Sequence, residues 1–359
     1  MRSLCCHSLY RQILKIECTM AKMLGIEFAP LSIPLHRRLE TMAVVKYTFI
    51  FVAMGFSCLF LAAYILLFTR YYWLVLLYLA WLAYDWNTPS CGGRRIDSVR
   101  RWKVWEYFRD YFPVSLIKTA DLDPAHNYIL GVHPHGVMSH GAFCNFATDA
   151  TGFSKKFPGI TSYLITLQGQ FWFPFYRDYI MLAGLVSCYK GSLEYLLNQS
   201  GSGNACAIVI GGAPEVLEAH KGSSTVCLAE KKGFIKLALK TGARLVPVYS
   251  FGECNIYDQV ANPQGSFLRC LQNRIQKVCG FATPIFTGRG IFNYSFGVLP
   301  QREQIACVVG APIHVDKVKE PTIEDINRLH ETYVLALRKL FNDHKVNYAL
   351  YKNNELVIL

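Results

Sequence analysis

The stretch "NYILGVHPHGVMSHG", residues 127–141, decides the reading of the fold. An apolar run, Tyr128 to Val132, stops abruptly at His133-Pro134-His135-Gly136. A short apolar run bounded by turn residues reads as a buried strand. In layered α/β domains sites form beyond the carboxyl ends of strands, so both histidines fall on such a rim. Pro134 fixes its own φ and biases His133 toward an extended conformation, and Gly136 allows a sharp bend or close approach of a substrate. A rigid turn that aims one imidazole in one direction is what a general base requires. The plain alternative is a loop with two solvated imidazoles.

Outward from this stretch, "CAIVIGG" (206–212), "RLVPVYSFG" (244–252) and "IACVVGAPI" (305–313) read as further buried strands. "GFIKLALKTG" reads as a helix closed by Gly242, and "TIEDINRLHETYVLALRKLFNDHK" as a helix capped by Thr322. Strands alternating with helices predict an α/β domain over 95–359. A second strand ends in glycines and an acid, Gly211-Gly212-Ala213-Pro214-Glu215. Backbone N–H groups at such a glycine pair suit a phosphate or a developing oxyanion, and Glu215 is the candidate to orient a histidine or stabilise imidazolium.

Other chemistries find less support. His133 and His135, with His126 or His140, form the metal constellation to weigh, yet there is no H-E-x-x-H, no C-x-x-C and no carboxylate at ligand spacing. G-x-S-x-G and a Walker loop are both absent.

The 359 residues are 52% hydrophobic and only 17% charged, below the roughly 25% of soluble domains. That balance points to a membrane. "YTFIFVAMGFSCLFLAAYILLF", residues 47–68, carries no charge and as a helix spans roughly 33 Å, enough for a bilayer core. After Thr69-Arg70 comes a shorter apolar run, residues 71–84. Basic residues flank the pair on both sides: Arg37, Arg38 and Lys46 before, Arg94, Arg95, Arg100, Arg101 and Lys103 after. The positive-inside tendency then puts both flanks in the cytosol and makes 47–84 a transmembrane helical hairpin, with 23–46 as a cytosolic amphipathic lead-in and 1–22 as an N-terminal extension. One crossing helix plus an interfacial helix is the alternative, and it would place the main domain in the lumen. Thirteen cysteines, an odd count without C-x-x-C spacing, read as buried reduced thiols facing the cytosol, where the sequons at Asn198 and Asn293 stay unused. The net charge of +12 suits an anionic partner, and without a zinc finger, an RNA-binding aromatic motif or a basic heptad helix that partner is not nucleic acid.

The chain resembles the diacylglycerol acyltransferase 2 family, including its monoacylglycerol and wax-alcohol branches, over residues 27–359. The matching segments are "YFP" at 111–113, "HPHG" at 133–136, "RDYIM" at 177–181, "GGAPE" at 211–215, "KKGFIKLALKTGARLVPVYSFGE" at 231–253 and "GRGIFNYSFG" at 288–297. "EFAPLSIPLHRRLET" at 27–41 is most similar to the monoacylglycerol branch. The resemblance implies an α/β acyltransferase-like domain with an N-terminal membrane hairpin, held in the endoplasmic reticulum as a multi-pass protein with its catalytic domain cytosolic; lipid-droplet contact and a homo-oligomer are compatible with it. It implies acyl-CoA-dependent esterification of a monoacylglycerol to diacylglycerol, with acyl-CoA as co-substrate and no resident cofactor or metal. Diacylglycerol or a long-chain alcohol is the alternative acceptor, and a non-catalytic lipid carrier the alternative of another class.

Carried onto this sequence, the essential histidine falls in H-P-H-G, with His135 favoured over His133, and the acid is Glu215. Gly136, Gly211 and Gly212 are expected against the substrate, and Arg177, Lys232, Lys236 and Arg289 are candidates for the CoA phosphates. Two departures stand out. Broader relatives place an aspartate five positions after the histidine, where this chain has His140. The neutral-lipid motif F-L-x-L is half met by Phe60-Leu61-Ala62-Ala63.

Overall fold

Seven strands build the central sheet: β1 (Ser115–Lys118), β2 (Tyr128–His133), β3 (Thr161–Thr166), β4 (Leu185–Ser187), β5 (Asn204–Val209), β6 (Arg244–Phe251) and β7 (Ala306–Val309). Their order is β1-β7-β6-β2-β5-β3-β4. The strands from β6 to β4 are mutually parallel, while β7 runs antiparallel to β6 and parallel to β1. The computed structural model describes residues 22–23, 25–30 and 32–359. Apart from the backbone of Lys22, the extension assigned to residues 1–22 lies outside the described residues.

The apolar runs found in the sequence are the four strands β2, β5, β6 and β7, which lie in the middle of the sheet or next to it. β1, β3 and β4 escaped the sequence reading. β4 is three residues long and sits at an edge, and β3 alternates buried with half-buried positions, so neither presents a continuous apolar run. β7 is shorter than "IACVVGAPI" suggests; past Val309 the chain keeps to β6 through the Gly310 amide on the Pro247 carbonyl and an isolated bridge from Ile313 to Leu245.

Helices cover both faces, as a parallel sheet requires. One face packs Tyr128, Leu130 and Val132 of β2 under α1 (Leu35–Phe68) and α3 (Lys103–Tyr111), through Tyr47, Trp105 and Phe108. The other packs Ile129 under α5 (Gly233–Thr241) and α6 (Ile323–Lys345), through Ile235, Leu337 and Phe341. α5 ends at Gly242, whose φ of 73° lets the chain reverse, and α6 opens on a Thr322–Asp325 capping box.

α1 starts at Leu35, well before the uncharged run, and its first half packs on α3. It is long and apolar enough to cross a membrane, and it is the one described helix that is. After a turn at residues 69–71 comes α2 (Tyr72–Tyr84), which lies against α1. The foot of α2 is fixed to the domain: Tyr78 donates to Asp178 at 2.6 Å, and Arg94 bridges Asp178 and Asp85.

Candidate active site

The alternation of β2 separates the two histidines of H-P-H-G. His133, the last strand residue, follows Ile129 and Gly131 onto the α6 face and is fully buried. Tyr333 of α6 reaches between them; a Cβ on Gly131 would lie 2.0 Å from its hydroxyl, so only glycine fits there. That hydroxyl donates to the Gly131 carbonyl at 3.1 Å and therefore accepts from His133 Nε2, also at 3.1 Å. Burial pushes the His133 pKa down to about 3, so its ring is neutral with Nε2 protonated.

His135 emerges beyond the turn and is half-buried. Its Nδ1 lies 3.1 Å from the Gly136 carbonyl oxygen and 3.3 Å from Ser139 Oγ. A carbonyl only accepts, so Nδ1 carries the proton and Nε2 keeps its lone pair. Burial lowers the His135 pKa and the Gly136 carbonyl partly restores it. The ring is thus neutral near pH 7, with Nε2 as its basic nitrogen.

Glu215 is joined to His135 through the backbone and not through the ring. α4 (Gly212–Val216) begins just past β5, and Gly212, at φ +59°, makes the bend. The Glu215 side chain folds back under Gly211, where a Cβ would lie 2.1 Å from its Oε2. One carboxylate oxygen accepts the amide of His135, and the other accepts the amide of Cys227 at 2.6 Å. Burial raises this carboxyl to about 7 against the pull of those two amides and of Lys231. The expected imidazole–carboxylate contact is replaced by a grip on the loop.

A second glutamate, which the sequence reading did not single out, grips the other end of the same loop. Glu253 follows β6 as Glu215 follows β5. Its Oε1 accepts the amide of His140 at 2.7 Å and its Oε2 the amide of Gly141 at 2.8 Å. Burial raises it also to about 7. Gly136 packs against it: a Cβ there would sit 2.7 Å from Glu253 Cγ, at a φ of +61° that already favours glycine. The Gly136 amide faces the Cys254 thiol. His140 is sealed among Tyr47, Phe108, Phe112 and Tyr257, with neither ring nitrogen bonded, and burial drives its pKa to about 3. Tyr47 of α1 also donates its hydroxyl to the Met138 carbonyl, which ties the long apolar helix to the histidine loop. The available signal was the acid after "SFG" at a strand end, parallel to the acid after "GGAP".

The four basic candidates do not converge on this loop. Arg177 is fully buried, faces Asp85 at 3.3 Å and donates to the carbonyls of Asp85 and Trp86, which makes it part of the foot of α2. Arg289 is buried over the Tyr294 ring. Lys232 bonds Asn327 on α6 at 2.9 Å, and Lys236 is exposed one turn along α5. Among the described residues no three His, Cys, Asp or Glu side chains converge to hold a metal ion. What the loop offers chemically is a neutral imidazole with a free Nε2, held by backbone contacts at both ends, beside the Gly211-Gly212 bend.

Residues 64–359 match the family described as diacylglycerol acyltransferase. The 2-acylglycerol O-acyltransferase 1 of Bos taurus is 50% identical over 332 residues, 92% of this chain and 99% of its own length. The Homo sapiens protein of the same name is 47% identical over 333 residues, 93% and 99% of the two chains. Diacylglycerol O-acyltransferase 2 of Danio rerio is 47% identical over 324 residues, 90% and 89%. Among solved structures, the 1-acyl-sn-glycerophosphate acyltransferase PlsC of Thermotoga maritima aligns over 85% of this chain and 95% of its own, at 11% identity and a TM-score of 0.37.

Proposed function

We propose His135 as the general base of an acyl transfer, on the premise that this chain belongs to the diacylglycerol acyltransferase family and is an O-acyltransferase of acylglycerols. The donor is acyl-CoA, a co-substrate, and no resident cofactor is invoked. The acceptor is a monoacylglycerol and the product a diacylglycerol. His135 Nε2 takes the proton of the acceptor hydroxyl as its oxygen attacks the thioester carbonyl. Amides at the Gly211-Gly212 bend stabilise the oxyanion. The C–S bond then breaks, and the imidazolium returns its proton to the CoA thiolate. The observation that carries this reading is the Nδ1–H bond to the Gly136 carbonyl, which leaves Nε2 as the basic nitrogen.

The other site residues take supporting roles. Glu215 and Glu253 fix the loop in the productive geometry. His133 holds α6 to the sheet through Tyr333. Lys232 and Lys236, exposed or half-buried on one helix, remain for the CoA phosphates, whereas Arg177 serves the foot of α2.

The membrane segment is a hairpin with both flanks on the cytosolic face of the endoplasmic reticulum. Support comes from the turn at 69–71, from the packing of α2 on α1, and from the attachment of both feet to one body, by Tyr47 and by the Asp85–Arg94–Asp178 group. A lysophospholipid acceptor would want a cation beside the base, and no Arg or Lys occurs from Asn127 to Gly141. Equal amounts of 2-monoacylglycerol, 1,2-diacylglycerol, a long-chain alcohol and lysophosphatidic acid, offered with oleoyl-CoA to microsomes containing the chain, test the acceptor. Diacylglycerol is the expected first product. Triacylglycerol or wax ester as the dominant first product overturns the choice of acceptor, and lysophosphatidic acid as the best acceptor overturns the reading of the site.

A further inference from the structure

Between Asp258 and Glu303 the chain has no acidic residue. This segment holds the helix Phe267–Cys279, whose sides are reversed relative to an ordinary surface helix. Its inward positions are polar: Arg269, 7% exposed, pairs with Glu218 and donates to the Leu217 carbonyl, and Gln272, 3% exposed, bonds Asn262 and Thr283. Its outward positions are apolar: Phe267 is 85% exposed and Val278 82%, with Leu271 exposed between them. Phe267, Leu271, Arg274 and Val278 recur at i, i+4, i+7 and i+11, so they share one side. Buried polar groups under an exposed apolar stripe are the informative departure from the usual pattern.

Past the helix in the chain, Phe281, Phe292 and Phe296 are exposed as well. Residues 292–294 are joined to the segment that precedes α1: Phe28 bridges Asn293, Ala29 donates to the Phe292 carbonyl and Tyr294 donates to the Glu27 carbonyl. From that junction α1 carries its own exposed stripe toward the hairpin, Leu35, Leu39, Met42, Phe49, Val52 and Phe56. Lys46, which would interrupt it, is folded back over the Trp102 and Trp105 rings at 4.9 and 5.0 Å.

We propose that the outward side of the helix Phe267–Cys279, with the 281–298 segment, is a second membrane contact that lies in the headgroup layer of an anionic bilayer surface. The occupant is a lipid surface for three reasons. The 281–298 segment that follows the helix is bonded to residues 27–29, which lead into the apolar helix α1. On the outward side of the helix, exposed Arg274 lies within the apolar stripe and exposed Lys277 borders it, with no acid nearby in the chain. An amphipathic helix of this kind, basic at its border, seats in the interfacial plane. The contact would hold the domain down against the bilayer at a point distinct from the hairpin. The proposal does not depend on the identity of the base or of the acceptor.

The test uses the full chain reconstituted in phosphatidylcholine vesicles, with and without phosphatidylserine. Val278→Cys and, as an exposed control, Asp316→Cys are each labelled with nitrobenzoxadiazole, and the signal of the unsubstituted chain is subtracted. Retained acyl transfer shows that each variant is folded. The expected result is quenching by doxyl-labelled lipid at position 278 that exceeds position 316 by about threefold or more. Arg274→Glu with Lys277→Glu should reduce that quenching in the vesicles containing phosphatidylserine. Equal quenching at 278 and 316 overturns the proposal. So does a blue-shifted dye at 278 that lipid does not quench, since a protein partner then covers the side. Indifference to the double charge reversal overturns the anionic surface.

Discussion

The two ends of the histidine loop use the same parts and reach opposite results. At each end a histidine follows a tight turn, and at each end a buried glutamate beyond a neighbouring parallel strand accepts the amide of that histidine. Glu215 shares its other oxygen with Cys227, so it ties the loop to the segment leading into α5. Glu253 gives both oxygens to consecutive loop amides. The rings differ more. His135 is half-buried, with one nitrogen held by a carbonyl and the other free; His140 is enclosed by four aromatic rings with both nitrogens unbonded. A backbone contact of the same kind therefore presents a half-buried imidazole with a free nitrogen at one end and seals a neutral wedge at the other. The chemistry lies in what surrounds the ring, and the glutamates act on the geometry of the chain.

Replacing the carboxylates breaks the comparison most. An amide at either position keeps one acceptor and turns an NH2 group toward a backbone N–H, which leaves a buried donor without a partner. That costs about 1–3 kcal/mol, or about 10- to 100-fold in turnover if the loop must be ordered in the transition state. Glu215→Gln and Glu253→Gln are each expected to lower kcat by that factor with little change in the KM for acyl-CoA. A pure rise in KM would assign the residue to substrate binding. The assay is initial-rate kinetics in microsomes at matched abundance.

The pH dependence sharpens the same point. Both carboxyls are raised to about 7, and each needs both oxygens as acceptors. His135 is shifted the other way, downward from its ordinary value. As pH falls through about 7 the glutamates protonate first and an O–H opposes a backbone N–H, so kcat should fall before the base itself is protonated. Stability has the opposite sign. A carboxyl with a raised native pKa favours the folded state below its ordinary value, and that contribution is lost as pH rises through about 7. Activity should therefore rise across a range where these two groups make the fold less stable. An acid limb near 7 in the wild type that stays in either single variant, Glu215→Gln or Glu253→Gln, and moves downward only when both are combined checks this.

The smallest effects are expected at the sealed end. His140→Phe keeps an aromatic ring in an aromatic enclosure and should retain turnover within about threefold, since no hydrogen bond is lost. Tyr47→Phe removes only the bond to the Met138 carbonyl, about 1 kcal/mol, and should lower turnover severalfold at most. A large loss in His140→Phe would show that its ring nitrogens have work of their own.

The strands that carry the site were legible because parallel strands in the middle of a sheet are apolar on both sides and stand out as runs. The H-P-H-G turn was legible for the same reason, as an interruption of such a run. What Glu215 touches was not, since the His135 amide is eighty positions away and an acid after glycines reads equally well as a partner for a ring or for a backbone. Tyr333 and Tyr47 lie 200 and 91 residues from their partners, and neither has a local pattern. The surroundings of the basic residues were not legible either: a charge count cannot tell that Arg177 faces Asp85 or that Arg289 lies over Tyr294. The one described helix long and apolar enough to cross a membrane was legible because its uncharged run needs no long-range contact to be seen.

The central claim is that the tight turn presents His135 as the base while His133 stays inside as a structural donor to Tyr333. It is tested most directly by acyl transfer from labelled oleoyl-CoA to 2-monoacylglycerol in microsomes holding equal amounts of His135→Ala or His133→Ala. The account predicts that His135→Ala is inserted and abundant yet loses about 100- to 10,000-fold in turnover, the range for removal of a general base. It predicts that His133→Ala keeps turnover per folded molecule and lowers thermal stability. Near-wild-type turnover in His135→Ala, with His133→Ala folded and inactive, would contradict it.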